Sequence, residues 1–576
     1  MKITRTSTIL ILLLLLFSFS KQIYSQSIIF PQNYFRSPVD FDITLSGNFA
    51  ELRNNHFHSG IDIRTFTTGK KVYAVADGFV SRIKISSGGY GKAIYIDHPN
   101  GYTSVFAHLD HFNKDIEEFV KSYQYQNNSF EFDLNINKDE MLIKKGTVIA
   151  FSGNTGSSAG PHLHFEIRDT KSEHPLNPLL FGFKIKDTTP PKIFNLYAYP
   201  LDSASNVNGF NSRQNFPVTF YNNAFHLKGD PKLKLLGNIG FALETNDYMD
   251  NTWGKCGIFD MKMKINDTLI SSYSFEEFSF DESTYINSHL DYELNVSQNK
   301  RIHKTFKEPN NQLSIYSKMK DNGIFKFKKS TDYKIDFLVS DANLNKSTLR
   351  IYAAGNEIEK IFPEGDFEIL MNYKKENIFK KENLELKFPK NSFYTNIPFT
   401  YSAEQDSNYL SDIHSINSEK VPVHNYYTIS IKPKSIPKGK SNKLLIVRID
   451  EKGEPTNEGG IYFDDSVKTK SRYFGKFAVS MDTIPPMIQP ITNFNLKSLN
   501  GQKSIRFTIK DELSGIKSYE GSIDGKWVLF EYDAKNDLLF YVFDSKRLAP
   551  NKNHQLQVRV TDQVDNEEIF TTNFIW

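Results

Sequence analysis

Apolar and polar residues alternate with a period of two along most of this 576-residue chain, as in KKVYAVADGFVSRIKI (70–85), YYTISIKP (426–433) and KLLIVRID (443–450). Successive side chains of an extended backbone point to opposite faces, so this pattern gives a sheet one apolar face; a helix needs a period of 3.6. The alternating segments are rich in aromatics, which form 14% of the chain, and end at Gly, Asn, Asp or Pro, the composition that suits strands and turns. The chain is therefore expected to be mainly β, with helix confined to DIEEFVKSY near 115–123. Two hairpins are predicted, one over 70–85 turning at Asp77-Gly78 and one over 92–109 turning near Asn100-Gly101, because both dipeptides favour the positive φ of tight turns.

A chain of this length exceeds one core and implies about three or four domains. Proline-paired junctions stand at DTTPP (187–191) and DTIPP (482–486), where two fixed φ angles favour an extended spacer. Related text follows each one. Gly257-Ile258 precedes IND at Ile265 as Gly515-Ile516 precedes IDG at Ile523, and VSDANLN (339–345) echoes VTDQVDN (560–566). These residues predict two related strand-rich modules, 187–355 with an insertion and 481–576, around a third β-rich segment at 356–480 that carries no motif. Both modules resemble bacterial immunoglobulin-like domains, which implies β-sandwiches acting as spacers or holding a protein partner.

The N-terminus has Lys2 and Arg5, an apolar run from Ile9 to Phe19 and a small residue at Ser25, the layout of a signal peptide over 1–25. The run of about eleven residues is short of the roughly 20 that span a bilayer, so no integral span is expected after signal removal. An exported protein, periplasmic or secreted, is the expectation. With Lys+Arg 70 against Asp+Glu 67 the charge balance gives no reason to expect a nucleic-acid partner, which would call for a clustered basic surface. Cys256 is the only cysteine, so no intramolecular disulfide forms and the residue is expected to be a small buried apolar group.

Chemistry-bearing residues concentrate early: eight of the 14 histidines fall between His56 and His174. In PHLHFEIRD (161–169) strand alternation sets His162, His164 and Glu166 on one face and Leu163, Phe165 and Ile167 on the other. By itself the pair could be two surface histidines. The preceding SGNTGSSAG (152–160) lacks the GK[ST] ending and helix of a phosphate loop. In HFHSGID (56–62), His58 and Asp62 supply an imidazole and a carboxylate across Gly60, which lets the chain bend closely around an ion. One histidine of the later pair would complete the three ligands of a catalytic zinc site.

With Ala107-His108-Leu109 between them, HxGxD at 58–62 and HxH at 162–164 resemble the signature of the lysostaphin-type (LytM-like) zinc metallopeptidases, and the likeness extends over about 45–170. The resemblance implies an antiparallel β-sheet peptidase domain, here 26–186, followed by several β-sandwich (Ig-like) domains. It implies Zn2+ held by His58, Asp62 and His164, with His108 and His162 handling protons as catalytic residues. His56 is the extra histidine. Glu166 is a candidate to receive the second N–H of a ligand imidazole. The implied function is an exported zinc metalloendopeptidase that hydrolyses peptide crosslinks of bacterial peptidoglycan through a metal-activated water. The alternatives are a catalytically silent wall-binding protein or regulator of another wall hydrolase, and a secreted adhesive protein. Between Leu109 and Lys144 the chain is longer than in compact members of the family, and this excess is expected to form a lid or groove wall.

Overall fold

A computed structural model describes residues 30–250, 252, 254–356, 369–495 and 498–576. The predicted signal peptide lies outside these residues. The chain is mainly β: an 11-stranded sheet comes first and several β-sheet units follow. No helix among the described residues is long and apolar enough to cross a membrane.

The first sheet contains β1 (Leu45–Gly47), β2 (Ile61–Arg64), β3 (Gly78–Ile85), β4 (Lys92–Asp97), β5 (Tyr102–Phe112), β6 (Val148–Ser152) and β7 (His162–Asp169). Its order runs β1-β2-β7-β5-β4-β3, and β6 pairs with β5. The middle of the sheet is thus built by the three segments that carry the histidine motifs. β7 follows the predicted alternation: Leu163, Phe165 and Ile167 are fully buried in the domain core, worth roughly 1.5–3 kcal/mol each. That apolar row fixes the register, and a slip by one residue would turn both histidines inward.

β4 and β5 form the predicted hairpin around Asn100-Gly101. The hairpin expected at Asp77-Gly78 is not formed, because Lys71–Tyr73 pairs with β6 and β3 pairs with β4. Gly78 serves close approach instead: a Cβ there would lie 2.2 Å from the carbonyl oxygen of Asp97.

The segment after β5 forms helix α1 (Lys114–Asn127), capped by Asn113, whose side chain accepts from the Ile116 amide at 3.0 Å. The strand Phe132–Asn135 then joins the edge of β3. This segment does not cover the histidines as a lid. It walls a cleft against the last module, with Tyr125 edge-on to Trp527 at a ring-centroid separation of 5.2 Å, the Arg547 guanidinium 3.4 Å over the Tyr125 ring and a 2.8 Å ion pair between Lys121 and Asp544.

Strands between Lys192 and Gly355 form a second, 12-stranded sheet system with its own core. Two five-stranded sheets follow between Asn377 and Met481, and two four-stranded sheets between Met487 and Ile575. Cys256 is buried, packs with the core of the first sheet, and burial raises its thiol pKa. The last module touches the first sheet directly: Glu531 pairs with Lys92 of β4 at 2.8 Å.

Candidate metal centre

β2 and β7 are antiparallel neighbours with His164 opposite Asp62, and Ala107 of β5 lies opposite His164 on the other side. His58, just before β2, completes the cluster. His58 Nε2 lies 3.0 Å from Asp62 Oδ1 and 3.1 Å from His164 Nδ1, and His164 Nδ1 lies 2.9 Å from Asp62 Oδ1. All three residues are buried. The space beside Gly60 is filled by β7 rather than left for an ion: a Cβ there would lie 2.4 Å from the Phe165 carbonyl oxygen. Gly60 therefore permits the β2–β7 approach that brings Asp62 to His164.

The outer nitrogens of both imidazoles are already engaged. His58 Nδ1 lies 2.7 Å from the Asn48 carbonyl, which only accepts, so Nδ1 carries the proton and Nε2 presents a lone pair. His164 Nε2 donates to Glu166 Oε1 at 2.8 Å, leaving Nδ1 for the centre. Glu166 is fully buried and also accepts from Ser59 Oγ at 2.6 Å, Arg168 Nε at 2.6 Å and the Tyr90 hydroxyl. Burial pushes the Glu166 carboxyl up, but Arg168 and His164 outweigh it and hold the group below the usual carboxylate range.

These contacts fit a cation. Two imidazole nitrogens and a carboxylate oxygen converge within 4.8 Å of one another. Tetrahedral ligands about 2.0–2.1 Å from zinc stand about 3.3 Å apart, close to the separations found here. Burial disfavours protonated His164, yet Asp62 and Glu166 raise its pKa to about 9. Asp62 is held well below the ordinary carboxylate range: His58 and the hydrogen bonds from His162 and His164 overcome burial. A proton can satisfy one contact of the triangle, whereas a divalent cation satisfies all three.

His108 and His162 sit beside this cluster with ring centroids 4.7 Å apart. His108 Nδ1 donates to the Thr155 carbonyl at 2.9 Å, and His162 Nδ1 to the Gly160 carbonyl at 2.8 Å. His162 Nε2 lies 3.5 Å from Asp62 Oδ1. The His108 backbone is in the left-handed region at φ +57°, a strain of order 1–3 kcal/mol for a residue with a Cβ, within an irregular stretch of β5. Burial and then the nearby His164 and His162 lower its pKa to about 3, so it is neutral over the ordinary pH range. A cavity of about 400 Å3 opens here, lined by Asp62, His108, His162, Arg53, Phe66 and Ser157 among others. His56 is exposed and its ring bonds the Asn54 carbonyl, away from the cluster.

Four supporting groups had no signature. Asn48 contributes a backbone carbonyl, to which any residue type is equivalent. Arg53 pairs with Asp62 Oδ2 at 2.8 Å, and Tyr90 and Ser59 both meet Glu166. Only the i, i+2 spacing of Glu166 from His164 made one outer partner readable.

The sequence matches the model of peptidase family M23 over residues 56–125 and 125–178, and that of the Zu5-like domain over 368–482. It is 37% identical over 138 residues to the DD-carboxypeptidase/endopeptidase Mpg of Neisseria meningitidis, covering 24% of this chain and 26% of that protein. It is 31% identical over 156 residues to the murein hydrolase activator NlpD of Salmonella typhimurium, covering 27% and 34%. The catalytic domain of lysostaphin from Staphylococcus simulans superposes with a TM-score of 0.18 at 22% identity, covering 23% of this chain and 87% of that domain. The chain thus spans about a quarter to a third of the length of these curated relatives. With a buried His-Asp-His centre on the matched strands, residues 56–178 are a peptidase domain of family M23, joined in the same chain to a C-terminal Zu5-like domain.

Proposed function

We propose that the chain is an exported zinc metalloendopeptidase that hydrolyses peptide crosslinks of bacterial peptidoglycan, with His58, Asp62 and His164 as the metal ligands. The observation that carries this reading is the convergence of His58 Nε2, Asp62 Oδ1 and His164 Nδ1, with the outer nitrogens of both imidazoles held by fixed acceptors. Two nitrogens and one carboxylate oxygen suit zinc better than the oxygen-loving calcium or magnesium. A zinc ion bound there supplies Lewis-acid polarisation of a carbonyl and lowers the pKa of water towards about 7.

The chain's own residues then position and move protons. The Thr155 carbonyl fixes His108 with its proton on Nδ1, and the Gly160 carbonyl does the same for His162, so each ring offers Nε2 as a base. His108, neutral at working pH, is suited to take a proton from the attacking water and return it to the departing amine. His162, with Nε2 3.5 Å from Asp62 Oδ1, is assigned to the side of the substrate carbonyl oxygen. The cavity of about 400 Å3 beside them, lined by Phe66, Ser157 and Pro161 among others, is the space assigned to the substrate peptide. The activity of the Neisseria relative, which its name gives as carboxypeptidase and endopeptidase, agrees with this substrate class. The complete donor set favours a hydrolase over a silent regulator.

The division into a peptidase domain to 186 and units starting at 187, 356 and 481 belongs to the same reading. Mass spectrometry of fragments released from purified sacculi tests it. Peptide-bond cleavage products are expected from the wild type and none from His58→Ala; digestion by His58→Ala to the same products would overturn the reading.

A further inference from the structure

We propose that Asp187, Asp247 and Asp341 form a second cation site, apart from the histidine centre, that takes a hard divalent ion of calcium type and clamps the peptidase domain to the module behind it. Each residue is buried, at 9%, 2% and 3% exposure, and each offers an oxygen within 4.8 Å of the others. Oxygens at about 2.3–2.6 Å from one calcium ion stand up to about 5 Å apart, so the three fit a shared ion. With neither nitrogen nor sulfur in the set, a hard cation is the matching class.

An independent observation singles out Asp247. Its Oδ1 is buried and has no hydrogen-bond partner among the described residues. The other two members are partly satisfied: Asp187 Oδ1 accepts from the Thr189 amide at 3.0 Å, and Asp341 accepts from the amide and the side chain of Asn345 at 2.8 and 2.7 Å. A buried carboxylate oxygen facing two further carboxylates is costly unless a cation or a proton neutralises it. Burial, and then Asp187 and Asp341, push the Asp247 carboxyl up to about 8, and burial raises Asp187 to about 6.

The internal repeat supplies a built-in contrast. Asp482, Asp511 and Asp562 form the corresponding triad in the last module. Asn566 there binds Asp562 at 2.8 and 2.6 Å and the Asp482 carbonyl at 3.2 Å, while Asn345 reaches the Asp187 carbonyl at the same 3.2 Å. The third members differ. Asp511 Oδ2 accepts from the Gly515 amide at 2.7 Å, the Leu513 amide at 3.2 Å and the Ser514 hydroxyl at 3.3 Å. Local donors do for Asp511 what none of the described residues does for Asp247 Oδ1, so the cation is assigned to the first triad alone.

The position gives the ion a mechanical role. Asp187 directly follows the peptidase domain. Asp247 opens a loop closed by paired backbone bonds with Cys256 at 2.9 Å each way, and Met249 and Cys256 of that loop are buried in the peptidase core. The next residue, Gly257, is gripped by the Asn48 side chain, and the Asn48 carbonyl holds His58.

Calorimetric titration of the zinc-loaded full chain with calcium chloride, paired with thermal melting, tests the site. A saturable binding event and a calcium-dependent rise in Tm are expected, with at least a tenfold loss of affinity in Asp247→Asn and in Asp341→Asn and little change in Asp511→Asn. Wild-type protein that neither binds calcium nor gains Tm would overturn the proposal even if the variants fold poorly. So would Asp247→Asn and Asp341→Asn curves that superimpose on the wild type.

Discussion

The carbonyl oxygen of Asn48 accepts the Nδ1 proton of His58 at 2.7 Å, while the Asn48 side chain exchanges two hydrogen bonds with the backbone of Gly257, at 2.6 and 2.7 Å. One residue thereby ties a metal-centre imidazole to the first β module. Asn48→Ala keeps the carbonyl but removes both bonds to Gly257, leaving a buried amide and carbonyl unpaired. A loss of about 1–3 kcal/mol is expected in urea unfolding, together with weaker zinc retention against a chelator.

Glu166→Gln should act on the metal without touching it. The carboxylate fixes the His164 tautomer through Nε2 and answers the Arg168 charge. Removing its charge is expected to lower zinc affinity about 10–100-fold, read by competition with a chromogenic chelator, with residual activity restored at high zinc.

His108→Ala and His162→Ala should separate binding from chemistry. Neither ring is needed for the His58, Asp62 and His164 triangle, so both variants are expected to retain stoichiometric zinc while losing about 10²-fold or more in turnover of a crosslinked muropeptide. Loss of zinc from either would move that histidine into the ligand set.

Acidification should weaken the fold through buried neutral histidines. Burial, aided by Arg301, lowers His303 to about 3; burial and Arg472 lower His424 to about 4. In the unfolded chain both rings bind protons near pH 6.5, so between that pH and the folded values the unfolded state holds more protons and stability rises with pH. The urea midpoint is expected to fall steadily as pH drops from 6.5 towards 4, and a flat profile over that window would contradict the assignment.

The last module should tune the groove. Lys535 donates to the carbonyls of Asn154 and Gly156, which flank the Thr155 carbonyl that holds His108. Lys535→Ala is expected to leave zinc content unchanged and to raise KM or lower kcat several-fold in muropeptide hydrolysis.

Much of the centre was legible because strand alternation is local. The order His162-Leu163-His164-Phe165-Glu166 alone dictates which side chains share a face, and Leu163 and Phe165 in the core settle which face that is. Contacts made by backbone atoms were not legible, since the carbonyls of Asn48, Thr155 and Gly160 carry no side-chain identity. Gly60 and Gly78 were misread for a related reason: a glycine that admits a neighbouring strand looks in sequence like one that turns or opens the chain. The docking of α1 on Trp527 joins residues about 400 apart, a separation over which periodicity has no reach.

The most direct test of the central claim is the zinc content of the purified full chain and of its Asp62→Ala variant. One zinc per chain in the wild type and essentially none in Asp62→Ala is the expected pair of results. A wild type without zinc after loading, or an Asp62→Ala protein that keeps it, would contradict the assignment of His58, Asp62 and His164 as the metal-binding centre.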